Sequence, residues 1–314
     1  MRGAIVLATN QGLGYLAKDF FDNGIIDRVL IKSHSLRENH PEWYGDKGKW
    51  LNSENYDWFF EGLKAVVYFE EPFEWKLLLE ARKRGIKNVL VPMYECTRFP
   101  FPYEPDVILC PSLIEMDLYR GKNTILSQIP VKENWKLRKR ARVFVHNAGN
   151  GGLGGRNGTK ELIEAMKYVK SPIKLIIRSQ SLDLTCNDPR VEIRKGNFDH
   201  KELYKEGDVF IFPEKFNGLS LPIQEAYASG MPIMSSNRFP FNTWLPNELL
   251  IPVKGYIKST ISVVFDNATI DPKDIASTID AWYDKDITKF SLIGKEWGNK
   301  NNWQNLKKFY EDNI

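Results

Sequence analysis

Residues 208–236, DVFIFPEKFNGLSLPIQEAYASGMPIMSS, hold the side chains best suited to chemistry. The apolar run 208–212 reads as a buried strand. A turn over 213–221 follows, with Asn217-Gly218 at its tip. Pro222 suits the first turn of a helix, where its missing N–H is unsatisfied anyway, and the helix stops at Gly230. A strand, a glycine-containing loop and a helix N-terminus together make an anion site, because backbone N–H groups and the helix dipole both face it. The amides of Gly218, Leu219, Ser220 and Leu221 are the candidates for holding the anion. Glu225 lies about one turn into the helix, too far along to be the phosphate ligand, and can accept hydrogen bonds from sugar hydroxyls beside it. The dipole alone also favours a glutamate there. Asn217 can hydrogen-bond a sugar hydroxyl through its amide, or serve only as the left-handed residue of a tight turn.

A second cluster, HNAGNGGLGGRNGTKELIEAM, begins at His146. Five glycines from Gly149 to Gly155, Gly154 among them, allow close backbone approach to a ligand. The stretch is neither a Walker loop nor a dinucleotide fingerprint, since no GK[ST] follows and no acidic residue ends the next strand. Arg156 and Lys160 are the basic candidates for a phosphate group. Arg156 is preferred, because a guanidinium binds phosphate bidentately. A flexible glycine loop with solvated charges is the alternative. Arg178 ends the strand KLIIR and is expected at the same crevice by the strand-end rule, or else on the surface. His34, His40, His146 and His200 show no metal-ligand spacing, so no metal is expected; His146 is the one placed beside the glycine loop.

In the first half, Asn10-Gln11-Gly12-Leu13-Gly14 follows the first strand, and Gly12 is a candidate for backbone contact with a ligand. Glu70 and Glu71 end another strand, and Glu95 lies just beyond a third. Any one of the three could orient or deprotonate an acceptor hydroxyl. Paired acids before a helix, as in Glu71-Pro72, also have a dipole explanation.

These motifs resemble the donor site of retaining glycosyltransferases of the two-Rossmann-domain type, the GT-B fold, family 4-like. NGLSLPIQEA is similar to that family's acidic residue, Gly-Phe-Gly-Leu-Pro, two residues, Glu, Ala. Leu221, Pro222, Glu225, Ala226, Gly230 and Pro232 match it; Asn217 replaces the first acid and Ser220 the second glycine. KELIEAM resembles the family's KGxxxLIEAF block, with Asn157 at its basic position and Gly158 kept. The resemblance implies a metal-independent enzyme that needs no cofactor beyond its donor substrate, a nucleotide-diphosphate sugar, with a UDP-sugar favoured. It implies Glu225 on the ribose, Asn217 on the transferred sugar, Arg156 on the diphosphate, an acceptor hydroxyl from the first-domain side, and retention of configuration.

The elements that must position these residues alternate along the chain. Apolar runs at 4–8, 28–31, 65–69, 88–91, 106–109 and 124–127 read as strands, with helical periods at 13–23, 58–63, 72–84 and 113–119. The second half repeats the scheme, with strands at 142–146, 173–177, 191–194, 208–212, 232–235 and 249–251. Its helices read at 159–168, 200–205, 222–229, 275–282 and 301–313. Residues 33–56 read as a long loop. The expected class is α/β with two Rossmann-like doubly wound domains. Their bounds are 1–131 for the acceptor side, a basic linker over 132–141, and 142–296 for the nucleotide sugar. A C-terminal helix over 297–314 is expected, from the resemblance, to pack back on the first domain.

With 314 residues, 42% hydrophobic and 27% charged, the chain suits two globular domains. Its three cysteines lack metal or redox spacing, and the cytoplasm is the expected compartment. The start MRGAIVLATNQG has no signal-peptide pattern, and no stretch approaches the ~20 apolar residues of a membrane span. A net charge of +4 names no polyanionic partner by itself.

One acceptor class motivated by the local pattern is a hydroxymethylated pyrimidine in DNA, as in bacteriophage enzymes that modify their own genomes. Lys132, Lys136, Arg138, Lys139, Arg140 and Arg142 cluster at the seam and could meet a phosphate backbone. Tyr68, Phe69, Phe73, Trp75, Tyr94, Phe99, Phe101 and Tyr103 could receive a flipped base. The alternatives are a solvated linker and core rings with a saccharide or small-molecule acceptor, a non-catalytic sugar-nucleotide-binding module, and a sugar-nucleotide epimerase.

Overall fold

A computed structural model describes residues 1–35, 37–132, 134–150, 152–181 and 183–314, with Leu153 and Lys201 described by their backbone alone. Two compact units emerge. The first comprises residues 1–129, 260–264 and 303–314, and the second residues 130–259 and 265–302.

In the first unit the chain alternates β1 (Arg2–Val6), α1 (Gly12–Asp22), β2 (Arg28–Ile31), β3 (Gly48–Trp50), α2 (Tyr56–Phe60), β4 (Ala65–Glu70), α3 (Lys76–Lys83), β5 (Lys87–Pro92), β6 (Val107–Cys110), α4 (Leu113–Leu118) and β7 (Thr124–Leu126). The seven strands form one parallel sheet in the order β3-β2-β1-β4-β5-β6-β7. Strand order reverses between β1 and β4.

The second unit runs β8 (Val143–Gly149), α5 (Thr159–Ala165), β9 (Lys174–Ser179), β10 (Val191–Lys195), β11 (Val209–Phe212), α6 (Leu221–Ala228) and β12 (Ile233–Ser235). These five strands are parallel, in the order β10-β9-β8-β11-β12. Order reverses between β8 and β11, and a crevice forms outside the strand C-terminal ends at such a point. The VFIF of β11 is apolar at every position because both faces of the sheet are covered. Val209 and Ile211 enter the core shared with Leu162 and Ile275, while Phe210 and Phe212 enter the one shared with Ile223 and Tyr227.

A two-stranded ribbon follows, β13 (Gly255–Thr260) and β14 (Val264–Thr269), then α7 (Pro272–Trp282) and α8 (Thr288–Lys300). The ribbon's tip, residues 260–264, belongs to the first unit, where Ser262 N–H donates to the Glu95 carbonyl at 3.1 Å. The last helix, α9 (Trp303–Asn313), is also part of the first unit. Its Tyr310 ring meets Phe20 at 4.8 Å, and its hydroxyl lies 2.7 Å from Ser127 Oγ. Among the described residues no helix is long and apolar enough to cross a membrane.

Several elements differ from the sequence reading. Residues 249–251 make no strand; a 3-10 turn, Asn247–Leu249, leads into a single bridge from Ile251 to Ser236. Residues 200–205 form only one 3-10 turn, His200–Glu202. The 33–56 loop holds β3 and three such turns. Residues 132–141, read as a linker, fall in the second unit, with Arg138 and Ala141 buried. The ribbon and α8 escape the periodic reading altogether. In α8 the reason is glycine: Gly294 and Gly298 lower helix propensity but let the helix lie close on α6.

A Cβ added at Gly294 would stand 2.5 Å from the Tyr227 carbonyl oxygen, and one at Gly298 would stand 3.0 Å from Ala228 Cβ. Helix α6 carries Glu225, so this contact holds a candidate functional helix in place. Gly294→Ala is expected to destabilise the second unit by about 1–3 kcal/mol despite the better helix former, as overpacking does. Denaturant unfolding followed by tryptophan fluorescence checks this; unchanged or raised stability would contradict it.

Candidate nucleotide-sugar site

Two loops stand at the switch point of the second sheet, one after β8 and one after β11. The first covers residues 150–158, of which Gly151 lies outside the described residues. Its last residue, Gly158, has φ 69° and caps the N-terminus of α5. A Cβ there would stand 2.1 Å from the Pro213 carbonyl oxygen, so only glycine allows the loops to touch. The Lys215 amide donates to the Arg156 carbonyl at 2.7 Å, and Lys215 Nζ pairs with Glu161 at 2.8 Å. Asn157 Nδ2 donates to the Ala148 carbonyl at 2.9 Å, tying the first loop to its strand.

His146 supports the loops from below and does not face a ligand. It is fully buried, with Nδ1 2.9 Å from the Ile211 carbonyl and Nε2 2.8 Å from Thr159 Oγ1. A carbonyl can only accept, so Nδ1 carries the proton and Nε2 accepts from the threonine. Burial lowers its pKa to about 4, which keeps the ring neutral.

The second loop is tied internally through Asn217. Asn217 Oδ1 accepts from the Leu219 and Ser220 amides, both at 3.1 Å, and Nδ2 donates to Glu214 Oε1 at 3.0 Å. The Leu219 and Ser220 amides, expected to face a diphosphate, are satisfied within the loop. Asn217, 7% exposed, braces the loop where a sugar contact was expected. Beneath it lies an ion pair the sequence did not single out, Glu214 with Arg238 at 3.1 Å. Burial raises the Glu214 pKa, while Arg238 and then Arg156 oppose the rise. Arg156 thus lies within electrostatic reach of this loop. Both Glu214 and Arg238 follow the C-terminal ends of strands, which is the one signal that could have flagged them.

Helix α6 starts from Ser220 in a left-handed conformation, φ 43° and ψ 69°, with Leu221 and Pro222 as its first residues. Gln224 Nε2 closes the turn onto the Leu219 carbonyl at 2.6 Å. Glu225 keeps a fifth of its surface and faces the segment after β10, where His200 Nε2 lies 2.9 Å from Oε1 and Tyr204 OH donates to Oε2 at 2.7 Å. Each carboxylate oxygen can accept more than one hydrogen bond. That segment is held by Arg138, whose Nη2 donates to the Tyr204 carbonyl at 2.8 Å.

Arg178 is also structural. It is 5% exposed, donates to the Leu203 carbonyl at 3.0 Å and pairs with Glu206 at 3.2 Å, so it does not line the crevice. Gly154, with φ 57°, and Lys160, on the second residue of α5, are exposed at the first loop. Among the described residues no group of three or more His, Cys, Asp or Glu side chains could hold a metal ion.

Gly12 opens α1 in the first unit, whereas the other donor-site candidates belong to the second. Of the first unit's acids, Glu71 accepts from Trp75 Nε1 and from the Arg98 amide. Glu70 has φ 65°, and its carbonyl accepts from Thr97 Oγ1. Glu95, expected to meet an acceptor hydroxyl, is 1% exposed. The unpredicted Glu115 is fully buried; burial, with some repulsion from Glu95, raises its pKa to about 7.

The features read as a DNA surface resolve differently. Arg140 and Arg142 engage Asp284, through its carbonyl and its carboxylate respectively. Lys136 to Arg140 and Arg142 line a hollow with Val143, Lys174 and Asp208, at the strand N-terminal ends and so at the opposite end of the sheet from the loops. Tyr68, Phe69 and Tyr94 are buried, and Phe73, Trp75, Phe101 and Tyr103 pack on the core. Phe99 packs on Tyr119 at 5.2 Å.

No protein-family model matches the sequence, and no curated protein does. Solved structures match the whole chain. A glycosyltransferase from Rickettsia africae ESF-5 superposes with TM-score 0.67 at 12% identity, over 99% of this chain and 97% of that one. HepE of Anabaena, in complex with UDP and glucose, gives 0.65 at 11% identity over 100% and 98%. Sucrose-phosphate synthase from Thermosynechococcus elongatus gives 0.61 at 15% identity over 99% and 98%. The fold is GT-B. At such identities the likeness carries the architecture alone.

The left-handed Ser220 sits where the glycosyltransferase signature has glycine. A non-glycine residue in that conformation costs about 1–2 kcal/mol. Ser220→Gly is therefore expected to be more stable than Ser220→Ala by about 1 kcal/mol in denaturant unfolding. Equal stability of the two variants would contradict the backbone assignment.

Proposed function

We propose that the protein is a retaining glycosyltransferase whose second unit binds a nucleotide-diphosphate sugar, with a UDP-sugar as donor. The observation that carries this reading is Glu225. Its carboxylate is held in the first turns of α6, at the C-terminal end of the switch-point strand β11, in the unit that also presents Arg156. In this reading Glu225 accepts the ribose hydroxyls. Arg156 and Lys160, with the backbone at Gly154, Gly218 and Leu221, meet the diphosphate. The Anabaena structure contains UDP and glucose, which supports a UDP-sugar donor.

In the transfer, the bond from the sugar C1 to the diphosphate oxygen breaks and its electron pair leaves with the phosphate. The acceptor oxygen forms the new bond to C1, and its proton leaves with the diphosphate. Negative charge grows on the leaving phosphate, so fixed cations beside it are the main source of acceleration. A saccharide or small-molecule hydroxyl is the acceptor class we favour over DNA. The aromatic side chains offered for base capture are buried in the core or packed on it, and the basic cluster lies at the strand N-terminal ends.

Glu225→Ala is expected to raise the KM for UDP-glucose at least tenfold with the fold intact by circular dichroism. Glu225→Gln is expected to be milder, since an amide still accepts a hydrogen bond. A near-wild-type donor KM in Glu225→Ala would overturn the assignment. The same assay is run with a saccharide mixture and with hydroxymethylated and unmodified duplexes. Sugar mass appearing only on the modified duplex would reverse the choice of acceptor.

A further inference from the structure

The loop from Glu214 to Ser220 is organised by a carboxylate that no ligand can touch. Glu214 is 1% exposed and its partner Arg238 is 3% exposed. The guanidinium gives Nε to the Glu214 carbonyl, Nη2 to the Asn217 carbonyl and Nη1 to the Phe239 carbonyl, each at 3.0 Å, and lies over the Phe241 ring. Ser236 Oγ adds a bond to the Glu214 carbonyl at 2.7 Å. One carboxylate and one guanidinium therefore join the loop after β11 to the segment after β12.

A buried ion pair is poor evidence of stability, because apolar residues of similar volume often hold a fold equally well. What this pair supplies is direction. An ionised carboxylate only accepts hydrogen bonds, so it draws the donating end of the Asn217 amide to itself. The accepting end must then face the Leu219 and Ser220 amides, as observed. Glu214 thus sets which way the loop's backbone dipoles point at the start of α6.

We propose that Glu214 and Arg238 are positioning residues for sugar transfer, acting through Asn217 on the loop 217–220; this rests on the nucleotide-sugar reading of the site. It makes a counterintuitive demand. Asn217→Asp restores the acid of the glycosyltransferase signature, yet it sets a second carboxylate against Glu214. It should impair the protein rather than improve it. Glu214→Gln leaves Arg238 without its counter-charge and frees the Asn217 amide to turn over. Combining the two substitutions returns one acid and one amide in exchanged order. The introduced carboxylate then accepts from the loop amides and from the new glutamine.

The test measures kcat for UDP-glucose turnover, the Kd for UDP and the Tm in the full chain. E214Q and N217D are each expected to lose at least tenfold in kcat while the UDP Kd rises by a smaller factor. The double variant is expected to recover to within threefold of wild type. Damage that is merely structural would lower Tm without this split between kcat and Kd. Single variants that turn over like wild type, or a folded double variant no better than the worse single, would overturn the proposal. Should E214Q not fold, Arg238→Lys carries the same test, since it keeps the charge and loses the fork of carbonyl contacts. Unchanged kcat in that variant would likewise overturn it. Wild-type protein that binds no UDP would overturn the nucleotide-sugar reading and with it this role; wild-type binding with unresponsive variants overturns the role alone.

Discussion

The contact between Gly158 and Pro213 is the constraint on which the second unit's site depends. Two loops leave adjacent strands, β8 and β11, and must nearly touch before their cations and helix ends can act on one ligand. At 2.1 Å from the Pro213 oxygen there is no room for a Cβ, and the positive φ excludes most other residues independently. Once that approach is made, the Lys215–Arg156 backbone bond, the Lys215–Glu161 pair and the buried His146 follow as local consequences.

Charge in this unit is sorted by depth. Arg138, Arg178 and Arg238 are buried and used on carbonyls or carboxylates of the scaffold. They fix the 203–206 segment and the 213–220 loop, and Tyr204 from the first of these orients Glu225. Lys160, by contrast, is exposed at the start of α5. An anionic ligand would therefore meet Lys160 on a frame whose buried arginines are already hydrogen-bonded to the scaffold. Such preorganisation is what makes an electrostatic site effective, because the dipoles need not reorient as charge moves.

The α/β class and the switch-point loops are legible in the sequence, because period-2 and period-3.6 patterns and the glycine and proline stops survive in one chain. Glu225 is singled out there by its place behind Leu221-Pro222. Other residues mislead for reasons of depth. Arg178 ends a strand as expected, but Glu206 and the Leu203 carbonyl claim it. Asn217 stands at the loop tip, yet its amide donates to a buried acid three residues earlier. A tertiary partner such as Arg238, 24 residues on from Glu214, leaves no local trace. Helix α8 escapes the pattern because its two glycines serve packing against α6 and so contradict propensity. The aromatic side chains of the first half mislead because composition does not separate core rings from binding platforms.

The paired loops of the second unit, in this account, hold a nucleotide diphosphate. Hydrogen–deuterium exchange of the full chain with and without UDP tests that claim directly. The account predicts slowed exchange in residues 149–158 and 213–225, with residues 1–129 unchanged. Protection confined to the first unit, or saturating UDP that binds without slowing either loop, would contradict it.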